Sequence, residues 1–366
     1  MTNKDNTNIQ KDLTFYIIVP VFNASKFLDE CIESVLSVKT INLIIILVDD
    51  GSTDESGEKC DNYARLDNRV IVFHQKNQGQ IIARQTGINY VLTQCNNEND
   101  VVMFLDSDDS LKQMALTEVN KVMSDLSIDM MIFGMDRVYD GTVVNSYNGE
   151  GRCCGIVEKK KDLYRIVFND WTYNPVCAKA IRFTLLESCD YKKYEDIRYG
   201  EDLIQSIEYY KKSKKVYFYN KSLYNYTINP NSLTQSINNK PYSVDFRVRQ
   251  LVMNFLIDEN EFDEQDWIQY RTYCMWLVTD MLRTICFLNI GIKEKIKFIN
   301  EIFNSEYYSL YLRNKECERL EGWWNFLAGQ LFSKKRIITI AVIGSIYKQL
   351  RQLRNRIRGG VIESGE

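Results

Sequence analysis

The chain has 366 residues, 45% of them hydrophobic and 12% aromatic, with a formal net charge of −3. That content supports cores for two or three domains and argues against disorder and against a broad nucleic-acid-binding role. Ten cysteines occur with no CxxC or Cys/His spacing, so they read as reduced thiols of a cytoplasmic chain and exclude a zinc site or a disulfide framework.

The start, MTNKDNTNIQKDLT, is polar and expected to be loosely ordered over 1–13. It lacks the apolar core of a signal peptide, and no later run approaches the roughly 18 apolar residues of a spanning helix. FYIIV (15–19) is a strand closed by Pro20, and KFLDECIESVLS carries apolar residues at helical spacing, with Asn23 or Ser25 as N-cap. The unit repeats: LIIILV (43–48) then ESGEKCDNYARL, and RVIVFHQ (69–75) then IIARQTGINYVLTQ. VVMFL (101–105) is the fourth strand. Strands without polar alternation, separated by helices of about a dozen residues, imply a mostly parallel α/β sheet covered on both faces. SIDMMIFGMDRVYDG (127–141) reads as a further strand, 158–212 as helix, aromatic loop and helix, and 214–235 as strand pieces. Long helical patterns follow over 240–332, with a domain boundary at 236–245.

Parallel sheets collect ligands outside the carboxyl ends of their strands. Those ends carry the polar residues here: Asn23, then Asp49 and Asp50, then Asn77 and Gly79, then Asp106 and Asp108. Carboxylates this close need a cation, and hard oxygen ligands with a diphosphate select Mg²⁺ or Mn²⁺. Asp106-Ser107-Asp108 therefore reads as a metal–diphosphate clamp.

The segments IIVPVFNASKFLDECIESVL, LVDDGSTDES, NQGQIIARQTGI and FLDSDD, followed by YGEDL, resemble in order and spacing the family 2 glycosyltransferases of bacterial surface-polysaccharide synthesis, which have the GT-A nucleotide-sugar-binding fold. The resemblance runs to about residue 235 and implies a nucleotide-binding half over 14–112 and an acceptor-binding half over 113–235, before a helical domain over 236–332. It implies that Pro20, Val21 and Asn23 line the nucleotide pocket, that Asp50 beside Asp49 accepts the uracil imide N–H, and that Arg84 faces the diphosphate. Asp108 binds the metal, with Asp106 holding ribose or metal-bound water. Asp202 of the Glu-Asp pair is the base that takes the acceptor proton, with Glu201 as fallback. Trp171 and Tyr173 are candidate acceptor platforms, and Tyr224, Tyr226, Ser232 and Thr234 resemble a family segment that closes over the donor diphosphate. The sequence departs from the pattern at NQGQ, where a second glycine is usual, and at NPVCAKAI, where a tryptophan is common. The implied reaction is metal-dependent, inverting transfer of a hexosyl or N-acetylhexosaminyl group from a nucleotide sugar, UDP-linked by expectation, to a saccharide or lipid-linked acceptor.

Asp109 reads as a helix cap, and His74 as a local hydrogen-bonding residue. Residues 333–358 carry eight Lys/Arg and no acid, with Ile340, Ile343, Ile346, Leu350, Leu353 and Ile357 at three- and four-residue intervals. This basic amphipathic tail, 333–366, suits either the inner face of an anionic membrane or packing on the helical domain or a second subunit. The competing functional reading is a catalytically silent scaffold of a polysaccharide assembly complex. A receiver domain would place its acid pair after the first strand, where PVFN stands, and a nucleotidyltransferase would show a basic Gly-rich loop there.

Overall fold

The computed structural model describes residues 13–95, 97–147, 153–186, 194, 197, 200–228, 242–305, 308 and 320–357, with the backbone alone for 242–246 and 352–357. The chain divides into two compact units, one of residues 1–167 and 171–235 and one of 168–170 and 236–366.

The first unit is built on one ten-stranded sheet. Its parallel half comprises β1 (Thr14–Val21), β2 (Asn42–Asp49), β3 (Val70–His74) and β4 (Val101–Phe104), in the order β3-β2-β1-β4. The connecting helices are α1 (Leu28–Leu36), α2 (Ser56–Leu66) and α3 (Gln80–Gln94). Alternate residues of β1 serve opposite faces. Phe15, Ile17 and Val19 join the buried cluster that contains Leu28, Cys31, Ile32 and Val35 of α1, whereas Ile18 meets α3 at Gly87, where any Cβ would collide with it.

Strand β1 runs through Pro20 instead of stopping at it. Val21 O accepts from Asp50 N on the β2 side and Ile18 O accepts from Leu105 N on the β4 side. Pro20 shares the orientation of Ile18, but the β4 ladder has already ended at the Ile18–Phe104 pair, so the ring removes no sheet hydrogen bond. Neither expected N-cap operates at α1. Its cap position is Phe27, without a side-chain cap; Asn23 sits in the left-handed region at φ 51 and accepts from Thr53 N instead, while Ser25 N donates to Asp54.

The second half of the sheet contains β5 (Ser110–Leu111), β6 (Met130–Tyr139), β7 (Thr142–Tyr147), β8 (Gly155–Val157), β9 (Lys179–Arg182) and β10 (Val216–Thr227), with α4 (Ala115–Met123), α5 (Lys160–Phe168) and α6 (Glu201–Lys212). The order continues β4-β9-β6-β10-β5, with β7 on β6 and β8 on β10. What reads in the sequence as one strand over 127–141 is a hairpin: Asp140 and Gly141 both have positive φ and form the two-residue turn that suits strand twist. Strand β9 runs antiparallel to both β4 and β6 and begins within the last two residues of the expected aromatic loop NDWTYNPVCAKA. Its polar ends are buried but partnered. Arg182 donates to the carbonyls of Met123, the last residue of α4, and of Asp125 and Ile128 beyond it, and Lys179 Nζ donates to the carbonyl of Tyr173 at 2.8 Å.

The second unit contains α7 (Tyr242–Glu259), α8 (Glu264–Phe287), α9 (Ile292–Phe303), α10 (Trp323–Ser333) and α11 (Ile337–Ile357). Helix α8 opens with a reciprocal Asp263–Asp266 capping box. The basic tail is no detached appendage: Ile337, Ile340 and Ala341 of α11 are buried, and a Cβ at Gly344 would collide with Cys286 of α8. Among the described residues, no helix is long and apolar enough to cross a membrane.

Candidate active site

The carboxyl ends of β1 to β4 lie at one edge of the first unit, because the four strands are parallel and in register. Pro20 and Val21 close β1 there, buried and paired with Val48 and Asp49. Asp49 accepts from Ser52 N at 3.0 Å and pairs with His74 Nδ1 at 2.9 Å. Burial raises its carboxyl, but the Ser52 and His74 hydrogen bonds outweigh this and hold it below the usual carboxylate range. His74 completes a chain to Asp61 at 3.0 Å, and hydrogen bonding to the two carboxylates raises its imidazole above the ordinary value.

Asp50 closes the loop after β3. It accepts from Gln75 Nε2 at 2.7 Å, Gln78 N at 2.9 Å and Gly79 N at 2.8 Å. Gly79, at φ 89, is the cap position of α3, a conformation that only glycine adopts without strain. This carboxylate thus shapes the loop it was expected to share with a nucleobase, and one Oδ2 lone pair stays open to a further donor.

The centre of the site is Arg84. Its side chain is 1% exposed, and its guanidinium is turned onto two carboxylates, not outward: Nη2 donates to Asp106 Oδ1 at 2.8 Å and Nη1 to Asp202 Oδ1. Burial opposes the charge, but Asp202, Asp106 and Glu201 together raise the guanidinium well above its ordinary value. Asp106 takes a second donor, Gln80 Nε2 at 2.7 Å. Burial and the neighbouring Asp202 push its carboxyl up despite Arg84. Asp202 also accepts from Val176 N at 3.3 Å. It stands in the first turn of α6, which starts from Gly200 in the left-handed region. Beside it, burial and the Asp202 charge push Glu201 up to about 8.

Asp108 differs from these acids. No hydrogen bond or ion pair from another described residue reaches its side chain, and burial with the Asp106 carboxylate pushes it up to about 6. A half-buried oxygen ligand lacking a compensating charge fits a hard divalent cation, although the described residues contain no preformed cluster of three or more metal ligands. Asp109 is not a helix cap. It is buried, accepting from Tyr224 Oη and Thr227 N at 2.7 Å each, and the same Tyr224 Oη accepts from Asp106 N at 3.2 Å.

The expected acceptor residues separate. Trp171 is exposed and packs edge-on to Tyr147 at 5.1 Å. Tyr173 is no platform: it is buried against Phe218, with centroids 5.5 Å apart. Tyr226 is half-buried on β10 opposite Arg137, and Ser232 and Thr234 lie outside the described residues. Two residues escaped the sequence reading, Gln80 and Lys179, and Tyr224, expected in a segment closing over the donor, instead holds Asp109. Gln80 had only a general signal, since it lies in the NQGQ segment that departs from the family pattern. Lys179 had none; burial lowers its amine to about 7, which no spacing announces.

Residues 16–189 match the family described as glycosyl transferase family 2. Glycosyltransferase GlyG of Streptococcus pneumoniae serotype 4 is 31% identical over 216 residues, covering 57% of this chain and 69% of GlyG. GlyA of the same strain is 29% identical over 224 residues, 60% of this chain, which spans 31% of GlyA. Minor teichoic acid biosynthesis protein GgaB of Bacillus subtilis is 23% identical over 371 residues, 90% of this chain and 39% of GgaB. Among solved structures, S. aureus TarS 1-349 in complex with UDP-GlcNAc shares the fold, with a TM-score of 0.66 at 17% identity over 96% of this chain and 93% of that one.

Proposed function

The chain belongs to the family 2 glycosyltransferases, and from that premise we propose that it moves a sugar, with inversion, from a UDP-linked donor to a saccharide of a bacterial surface polymer. The observation that carries this reading is the Asp106–Arg84–Asp202 network, in which one buried guanidinium stands between the acids after β4 and the Glu-Asp pair of α6. Inversion needs a base on the far side of the sugar from the leaving diphosphate, and two acid groups separated by a fixed cation suit that division.

The environments also divide the labour within the pair. Glu201, at about 8, holds its proton at neutral pH and cannot accept another, so Asp202, ion-paired to Arg84, is the base that takes the proton of the acceptor hydroxyl. The reading assigns the divalent cation to Asp108, with the Asp106 oxygen not engaged by Arg84 and Gln80 beside it. Bound Mn²⁺ or Mg²⁺ supplies positive charge to the leaving diphosphate. The UDP-GlcNAc complex of the TarS neighbour supports a uridine donor, and the open Oδ2 lone pair of Asp50 is the acceptor for its imide. The name of GgaB supports a surface-polymer acceptor, which we take to be lipid-linked.

Asp202→Asn tests the assignment. Transfer falls by ~10²–10⁴-fold, the usual worth of a general base, while UDP binding by calorimetry is unchanged. Near-normal turnover of the variant would move the base elsewhere. A wild-type chain that binds UDP but turns over no nucleotide sugar would make it the silent scaffold instead.

A further inference from the structure

Helix α11 has two apolar faces, and only one is used inside its unit. Ile337, Ile340, Ala341 and Gly344 face the helical core. Ile338, Val342, Ile346 and Leu350 recur at every fourth position, which places them along one stripe of the helix. They are 65%, 41%, 50% and 60% exposed. On the adjoining α10, Trp323 and Phe326 are 60% and 48% exposed, and Trp323 lies 5.3 Å from Tyr347 of α11. Single exposed apolar residues need no explanation, but six on two adjoining helices do.

The charged side chains carried by these two helices and the turn joining them have one sign. From Gly322 to Ile362 the sequence contains no Asp or Glu and eight Lys/Arg. Lys334, Lys335 and Arg336, at the turn between α10 and α11, are exposed, and Lys335 Nζ rests over the Phe303 ring at 5.2 Å. Helices that join an aliphatic stripe, an exposed tryptophan and a basic turn without acids of their own are complementary to an anionic, partly apolar surface. A protein partner would need to match the basic turn with acids; a bilayer of anionic lipid does so without a specific fold.

We propose that α10 and α11 form a docking face for an anionic membrane, lying in the headgroup region with Ile338, Val342, Ile346, Leu350, Trp323 and Phe326 turned into it. This stands on the helical unit alone and does not depend on the transferase reading, although it would bring that chemistry to a lipid-linked acceptor.

The test is sedimentation of the full chain with vesicles of phosphatidylglycerol and phosphatidylcholine, against phosphatidylcholine alone. Deleting the tail is unsuitable because it would strip Ile337, Ile340 and Ala341 from the core. Ile346→Asp and Leu350→Asp change only exposed positions, and each should weaken binding to anionic vesicles by about tenfold or more. Lys334→Glu with Arg336→Glu should abolish the preference for anionic lipid. Melting temperature and UDP binding, measured alongside, should stay at wild-type values. The proposal is overturned if the wild-type chain stays in the supernatant with anionic vesicles, or if the aspartate variants sediment as it does. It is equally overturned if light scattering finds a dimer that these variants split while lipid binding is absent, which would give the face to a second copy.

Discussion

Replacing Arg84 by methionine asks what the buried guanidinium contributes. The side chain is 1% exposed and its two terminal nitrogens hold Asp106 and Asp202, themselves 20% and 24% exposed. A hydrogen bond to a charged group is worth about 1.5–3 kcal/mol, so losing both costs about 3–6 kcal/mol. Asp106 keeps Gln80 and Asp202 keeps Val176 N, and methionine removes a buried Nε that has no partner, which together return about 1–3 kcal/mol. The net loss should be about 3 kcal/mol, within the range for removing one side of a buried ion pair. Because the orphaned carboxylates can relieve themselves by binding protons, the loss should shrink as pH falls from 7.5 to 5. Urea unfolding followed by circular dichroism measures it, and hydrogen exchange of peptides from α3 and α6 ties it to the first unit. A loss below about 1 kcal/mol, or one that does not change with pH, would refute the account of Arg84 as the charge centre of the site.

Asp108→Asn should abolish the Mn²⁺ dependence of UDP binding in calorimetry. In the wild type that dependence should itself weaken below about pH 6, as protons compete with the cation. His74→Gln should lower the melting temperature more at pH 5.5 than at pH 8.5: a raised imidazole stabilises the fold below its unfolded value near 6.5, and the contribution fades as pH climbs through the higher folded value. Tyr224→Phe, which strips Asp109 of a 2.7 Å donor and Asp106 N of its acceptor, should cost about 2–4 kcal/mol; an unchanged urea midpoint would show that neither bond matters.

What could be read from the sequence followed chemical type. Uninterrupted apolar runs identified β1 to β4, because a strand covered on both faces leaves no place for polar residues. The acids at their ends were visible because carboxylates are conspicuous after such runs. The illegible parts are those where partners override composition. Lys179 and Arg182 look like surface residues and mark no strand, yet their long apolar stems pass through the interior and their charged ends find backbone carbonyls. Asp109 resembles a cap in isolation, and Tyr224 and Thr227, more than a hundred residues away, make it a buried acceptor. The hairpin at Asp140-Gly141 was legible in principle, since the dipeptide is a strong turn signal.

Strand β9 bears on how the protein is made. It is four residues long, yet it supplies the far edge of β4 and joins it to β6. On the ribosome β4 is complete at Phe104, whereas β9 begins at Lys179. At about 5–20 residues per second, a nascent four-strand half would present an unpaired apolar edge for about 4–15 s before its cover emerges. Such an edge invites pairing with neighbouring chains, so slow translation between these two strands would cost yield through aggregation, with the finished fold unchanged.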